Sequence, residues 1–252
     1  MRAVYSLWRR EIVRFLRQRS RVTGSVAQPF VFWLLLGGGL SPSFKPQNGP
    51  STPYFDYLFP GILALVLLFT AIFATIATVE DRQTGFLQGV LAAPVSRAEL
   101  VLGQALGGTT LAVLQGLLLL PFAPLAGLHL TVGTALGAVV IMTAIAFGLT
   151  SLGLVIAWRM SSTQGFHAIM NLLLMPMWML SGAFFPSTGV PAPLSWLMRL
   201  DPLTYGLAAL RRCLDPAASG VPALPVALTV TLLFGAVAYG AAVGTATRSS
   251  AV

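Results

Sequence analysis

The chain has 252 residues, of which 56% are apolar and only 9% charged, with a mean hydropathy of +0.82. That is too little charge to clothe a water-soluble globule, and it excludes an ordinary soluble enzyme. The formal charge of +8 points to anionic lipid and not to nucleic acid, because so little polar surface is available for a duplex or strand to lie on.

A single cysteine, Cys213, leaves no intrachain disulfide and no thiolate metal site. The one lysine, Lys45, follows Leu40-Ser41-Pro42-Ser43-Phe44, not the glycine-rich loop that cradles nucleotide phosphates. Any ATP that drives this protein is therefore bound by another polypeptide. No nucleophile with a paired base stands out, so no catalytic residue and no metal ligand is assigned.

The first 21 residues form an amphipathic helix at 100° per residue, with Arg10, Arg14, Arg17 and Arg21 on one face. Val4, Tyr5, Trp8, Ile12, Phe15 and Leu16 fall roughly opposite. Such a helix lies in the membrane interface, its rings and aliphatics among acyl chains and its arginines toward lipid phosphates or an acidic protein surface. Arg19 sits on the apolar side, so the helix ends or bends near Ser20. The long basic opening and the large side chains that follow distinguish this start from a cleaved signal peptide, and the first span reads as a permanent anchor.

A membrane helix needs about 20 mostly apolar residues, and a charge at its centre costs several kcal/mol, so charge-free intervals mark the spans. Val22 to Phe44 carries the first, centred on Pro29 to Gly39, and Tyr57 to Val79 the second. Leu100 to Trp158 is 59 residues without a formal charge and suits two spans, broken near Pro121, Pro124, Gly127 and His129. A fifth runs roughly from Gln164 to Phe184 and a sixth from Pro222 to Thr247. With the N-terminus inside, 11 of the 15 basic residues are cytoplasmic, which favours an N-in, C-in arrangement of six spans.

The segment from Glu80 to Glu99 holds three of the seven acids, far more than a hairpin connector needs. Its charges gather at its ends, while Phe86, Leu87, Val90 and Leu91 recur at helical spacing before a stop at Pro94. This predicts a short helix across the cytoplasmic face, with an apolar side free for packing.

The run from Gly61 through Glu80-Asp81-Arg82, Gly85, Pro94, Ser96-Arg97 and Gly103 resembles the signature of type-2 ABC exporter permeases, the bacterial group that includes drug, lipooligosaccharide and polysaccharide exporters. The Arg-rich opening before Gln28-Pro29 is similar to theirs, as is the run from Met179-Leu180-Ser181-Gly182 through Pro186 to Asp201-Pro202-Leu203-Thr204. The resemblance covers nearly the whole chain in order. It implies a half-transporter in the bacterial inner membrane: two permeases pair, as a homodimer or a heterodimer, and two ATPase subunits carrying ATP and Mg dock below. It also implies that Glu80, Asp81, Arg82, Gly85, Pro94 and Arg97 couple to the ATPase, and that the helix bearing Arg10, Arg14, Arg17 and Arg21 touches it.

Between the fifth and sixth spans, residues 185–216 read as two short extracellular, partly re-entrant helices, the second opened by Asp201-Pro202 and closed by Arg211-Arg212 near its negative dipole end. The spans hold no Asp, Glu, Lys or Arg, so the intramembrane relay of an ion-coupled transporter or membrane enzyme is absent, and ATP is the favoured energy source. Asn171, Met175 and Met179 make the fifth span soft enough to line a path for hydrophobic cargo. Gly103 with Gly107, Gly133 with Gly137, and Gly240 with Gly244 allow close helix approach. The expectation is an all-α, single-domain, six-span export permease (residues 1–252) for a drug, lipid or lipid-linked glycan, with a non-transporting membrane scaffold as the alternative.

Overall fold

The computed structural model describes residues 2–17, 19–41, 53–92, 95–187, 189–218 and 220–248, and those residues form helices and connections with no strand. The opening helix, α1, is Arg2–Leu16, followed by α2, Arg19–Leu40. Next come α3, Tyr54–Ala74, and α4, Ile76–Gln83, then the short α5, Phe86–Ala92. The long helices α6, Arg97–Leu119, and α7, Val132–Ala157, are joined through a 3-10 turn, Leu120–Ala126. Helix α8, Thr163–Trp178, runs into one π-helical turn, Met179–Ala183. Two short helices, α9, Ala192–Leu200, and α10, Pro202–Leu214, precede α11, Leu224–Arg248.

Among the described residues five stretches are long and apolar enough to cross a membrane: Tyr54–Gln83, Arg97–Ala126, Val132–Ala157, Thr163–Ala183 and Leu224–Arg248. The expected first span differs. It belongs to a helix that starts at Arg19, and its apolar part, Pro29–Leu40, is shorter than those five. Residues 42–52, which include Lys45, lie outside the described residues.

Helix α3 is the hub, packing on α2, α6 and α7, and nearly every residue from Leu58 to Ile72 is buried. Trp33 of α2 closes one side of it, stacked on Phe55 at 4.3 Å, edge-on to Phe59 at 4.9 Å, with its indole N–H on the Phe55 carbonyl at 3.0 Å. Such aromatic contacts add about 1 kcal/mol each beyond buried area. By contrast α7, α8 and α11 leave Val140, Leu172 and Val237 exposed, as helices do whose outer side meets lipid or another membrane chain.

The second span is not one straight helix. Thr75 returns its hydroxyl to the Ile72 carbonyl at 2.7 Å and its amide to the same oxygen at 3.0 Å. That capture of an i−3 carbonyl breaks the regular ladder and separates α3 from α4. The expected break between spans three and four is present, closed by Gly127 at φ 64, and Thr131 and Thr134 form a capping box that restarts the chain as α7.

At the opposite end of the bundle the π turn is held by α3. The Tyr57 hydroxyl donates to the Gly182 carbonyl at 2.6 Å, Tyr54 to Phe184 at 3.0 Å, and Trp178 Nε1 to Gly61 at 2.8 Å. Gly182 has φ 83, a conformation glycine adopts without strain. Asp201 caps α10 as expected, accepting from the Leu203 amide at 2.9 Å. Arg211 and Arg212 lie in the last turn of α10, but their guanidiniums turn away from it. They donate to the carbonyls of Gly182 at 3.0 Å and of Pro222 and Val221 at 2.8 and 2.9 Å.

Candidate functional site: a charged clamp under an apolar cavity

Helix α1 lies along α6. Built on Gly103, a Cβ would stand 2.8 Å from Leu7 Cβ, and on Gly107 it would stand 2.8 Å from Glu11 Cβ. The two glycines therefore form the floor on which α1 rests. The Trp8 indole donates to Thr110 Oγ1 at 3.0 Å one turn further on. Much of the face expected among acyl chains is thus docked on protein, while Tyr5 stays 60% exposed. The helix also ends earlier than expected, at Leu16, with Arg17 in the turn after it. Arg21 consequently belongs to α2 and does not share the α1 face. The chain must turn there because α1 is committed to α6 while α2 enters the bundle against α3.

The arginines of α1 meet the acids of α4. Arg10 donates to both oxygens of Asp81 at 2.6 and 2.7 Å, Arg14 to Asp81 at 3.2 Å, and Arg14 also to Glu80. The Asp81 side chain is only 6% exposed. Bidentate guanidinium–carboxylate bonds in such a setting are among the stronger polar contacts, and those to Asp81 chiefly hold the Arg10 pKa above its ordinary value. Arg10 also lies 3.9 Å above the Phe86 ring, tying the start of α5 into the cluster.

The next two residues of α4 reach elsewhere. Arg82 donates to the carbonyls of Trp158 at 2.6 Å and Met160 at 3.4 Å, and Gln83 to Ser161 at 2.9 Å. One short helix end therefore grips α1 through Glu80 and Asp81, and the α7–α8 turn through Arg82 and Gln83. Gly85, at φ 75, makes the turn into α5. Leu87 is buried with Leu100, Val101 and Trp158, so the apolar side of α5 is largely used within the chain, and Phe86 is its exposed ring at 41%. Arg97 opens α6 behind a Ser96–Glu99 capping box and makes no ion pair with the clamp among the described residues. Pro94 lies outside the described residues, and of Arg21 only the backbone is described.

Above the clamp is a cavity of about 390 Å³ bounded by α1, α2, α3, α4, α6 and α8. Glu11, Arg14 and Glu80 stand at its clamp end, and the Thr70–Gln115 pair stands deeper, Thr70 lying on α3 beyond the Thr75 break. Phe15, Phe32, Phe69 and Phe73 supply the wall between, with the His167 ring 5.1 Å from that of Phe73. Of the expected path residues, Met175 lines this cavity, whereas Asn171, exposed on α8, and Met179, exposed at the start of the π turn, do not.

Sequence reasoning did not single out Glu11, Gln115 or the phenylalanines. The available signals were an acid set among arginines and an amide inside an otherwise apolar helix. Among the described residues no three His, Cys, Asp or Glu side chains gather as metal ligands.

The family model described as ABC-2 type transporter matches residues 2–214. Nodulation protein J of Rhizobium meliloti (strain 1021) is 27% identical over 234 residues, covering 90% of this chain and 86% of that protein. The putative transport permease ycf38 of Cyanophora paradoxa is 24% identical over 212 residues, 82% of this chain and 72% of its own. Nodulation protein J of Sinorhizobium fredii (strain NBRC 101917 / NGR234) is 26% identical over 233 residues, with coverage of 90% and 86%.

Proposed function

Since the chain belongs to the ABC-2 type transporter family, we propose that it is the membrane-spanning permease of an ATP-driven exporter, moving a hydrophobic or amphipathic substrate (a drug, lipid or lipid-linked glycan) outward. The whole chain acts as one domain with six spans: α2, α3 continued by α4, α6, α7, α8 and α11. Both termini face the cytoplasm of a bacterial inner membrane, and α9 and α10 cap the outer end. ATP and Mg are held by two ATPase subunits, and a second permease copy completes the path against the exposed face that carries Asn171 of α8 and Met179 of the π turn.

The observation that carries this reading is the double grip of α4. Its last turn holds α1 on one side and the α7–α8 turn that leads into α8 on the other, and α1 and α8 both line the cavity. A push on α5 from below is thereby delivered to two walls at once. Phe86 and the turn at Gly85 are the surface for that push, while Glu80 and Asp81 pass it on to α1.

The test is to purify the tagged chain in mild detergent and assay what accompanies it. A stoichiometric ATPase whose turnover depends on this chain, and ATP-dependent substrate movement in proteoliposomes, are expected. Isolation as a stable lone chain that neither recruits nor stimulates an ATPase would overturn the proposal.

A further inference from the structure

The cavity walls specify more than a hydrophobic cargo. In the clamp, Arg10 and Arg14 face three carboxylates, Glu11, Glu80 and Asp81, so two positive charges meet three negative ones in a chain whose total is +8. Arg10 is engaged by both oxygens of Asp81, and Arg14 by Glu80 and Asp81. Among the described residues Glu11 has one polar contact, 3.4 Å from an Arg10 nitrogen that Asp81 already holds at 2.6 Å. The Glu11 side chain is 11% exposed, and burial is the main reason its pKa is raised. It is the surplus carboxylate, and it lines the cavity.

At the deep end stands a second unmet group. Gln115 is 2% exposed. Its oxygen receives the Thr70 hydroxyl, yet among the described residues its amide nitrogen has no hydrogen-bond partner, and a buried donor left so favours a ligand that can accept from it. Phe69 and Phe73 also line the cavity, and an aromatic ring attracts a cation to its face.

On the reading of the chain as an exporter, we propose that this cavity is the entry site for amphipathic cations. The positive end of the ligand lies against Glu11, its aromatic or aliphatic body lies among the phenylalanines, and an acceptor oxygen, where the ligand has one, takes the Gln115 amide proton. Arg17 is exposed one turn beyond Arg14 and does not line the cavity, so water screens its charge from the ligand.

Equilibrium binding of three bulky phenyl probes to the full chain in lipid nanodiscs, without ATP, tests the assignment. Tetraphenylphosphonium should bind saturably, and Glu11→Gln should weaken it about tenfold, as the loss of one partly screened charge predicts. Triphenylphosphine oxide, neutral but with a strong acceptor oxygen, should be insensitive to Glu11→Gln and weakened about fivefold by Gln115→Leu. Tetraphenylborate, of opposite charge, should bind far more weakly than the phosphonium.

Equal phosphonium affinity in wild type and Glu11→Gln, or borate binding as tight as phosphonium binding, overturns the proposal. An unchanged unfolding midpoint of Glu11→Gln shows that the loss is one of binding, and Phe73→Leu, which keeps bulk but removes the ring, should weaken the phosphonium in the same direction. ATP-driven export is read separately on the chain with its ATPase. If the phosphonium binds as described and no ATP-dependent movement is seen, the exporter reading fails while cation recognition stands, and export of an anionic or neutral lipid with no phosphonium binding does the reverse.

Discussion

Truncating Asp81 should release α1 from the bundle without unfolding the rest. Its carboxylate receives two parallel bonds from Arg10 at 2.6 and 2.7 Å and a third from Arg14 at 3.2 Å. Asp81→Ala leaves Arg10 and Arg14 facing Glu11 and Glu80, so formal charge is balanced and the loss comes from geometry alone. Breaking one side of a fully buried pair costs about 3–5 kcal/mol. The two arginines are 31% exposed, so water takes back part of that, and about 2 kcal/mol is expected. The assay is reversible unfolding in mixed micelles, run as a double-mutant cycle with Arg10→Ala, alongside the rate of tryptic cleavage within α1. Coupling of about 2 kcal/mol and faster cleavage are expected. Additive effects of the two substitutions, within about 0.5 kcal/mol, would refute the view that this pair fastens α1.

Other substitutions probe the remaining contacts. Gly107→Leu should lift α1 and cost about 1–3 kcal/mol, whereas Gly240→Ala, with nothing within 4 Å, should stay within about 0.5 kcal/mol of wild type in the same unfolding assay. Phe86→Ala should change unfolding by no more than about 1 kcal/mol yet lower the ATPase turnover that the permease stimulates; unaltered turnover would remove α5 from the coupling route. Burial pushes the Asp201 carboxyl from 3.8 up to about 7, so its contribution to stability is full below about pH 4 and is lost as pH rises through about 7. Asp201→Asn, which keeps the cap on Leu203, should erase that decline and gain up to about 4 kcal/mol over wild type at pH 8 relative to pH 4. Parallel pH profiles of the two proteins would count against it.

Five of the spans were readable because each is a run of residues in one solvent, and the absence of charge over Leu100 to Trp158 needs no knowledge of neighbours. Breaks with local causes were readable as well: the cluster around Pro121 and Gly127 ends one helix, and Asp201-Pro202 begins another. The Thr75 kink was not, because threonine inside an apolar run is ordinary, and only the choice of the Ile72 carbonyl over the i−4 partner breaks the ladder. The length of α1 was overestimated for a similar reason. Arg10, Arg14, Arg17 and Arg21 continue one face on a wheel whether or not the chain turns between them, and the turn after Leu16 is imposed by docking on α6.

The clamp and the cavity stood beyond reach for a different reason, since they join residues far apart in sequence. Arg10 and Asp81 are 71 positions apart, and periodicity defines a charged face without saying what covers it. Gly103 and Gly107 were legible as a surface for close approach, but their spacing fits a helix of a second copy as well as a helix of the same chain. Glu11 shows most directly how meaning changes with context. In the sequence it is an acid between Arg10 and Arg14 and looks neutralised by both. In the folded chain those arginines are drawn across to Asp81 and Glu80, and the acid nearest to them in sequence is left with the weakest hold on either. The charge that local reasoning cancels is thus the one that the fold leaves facing the cavity.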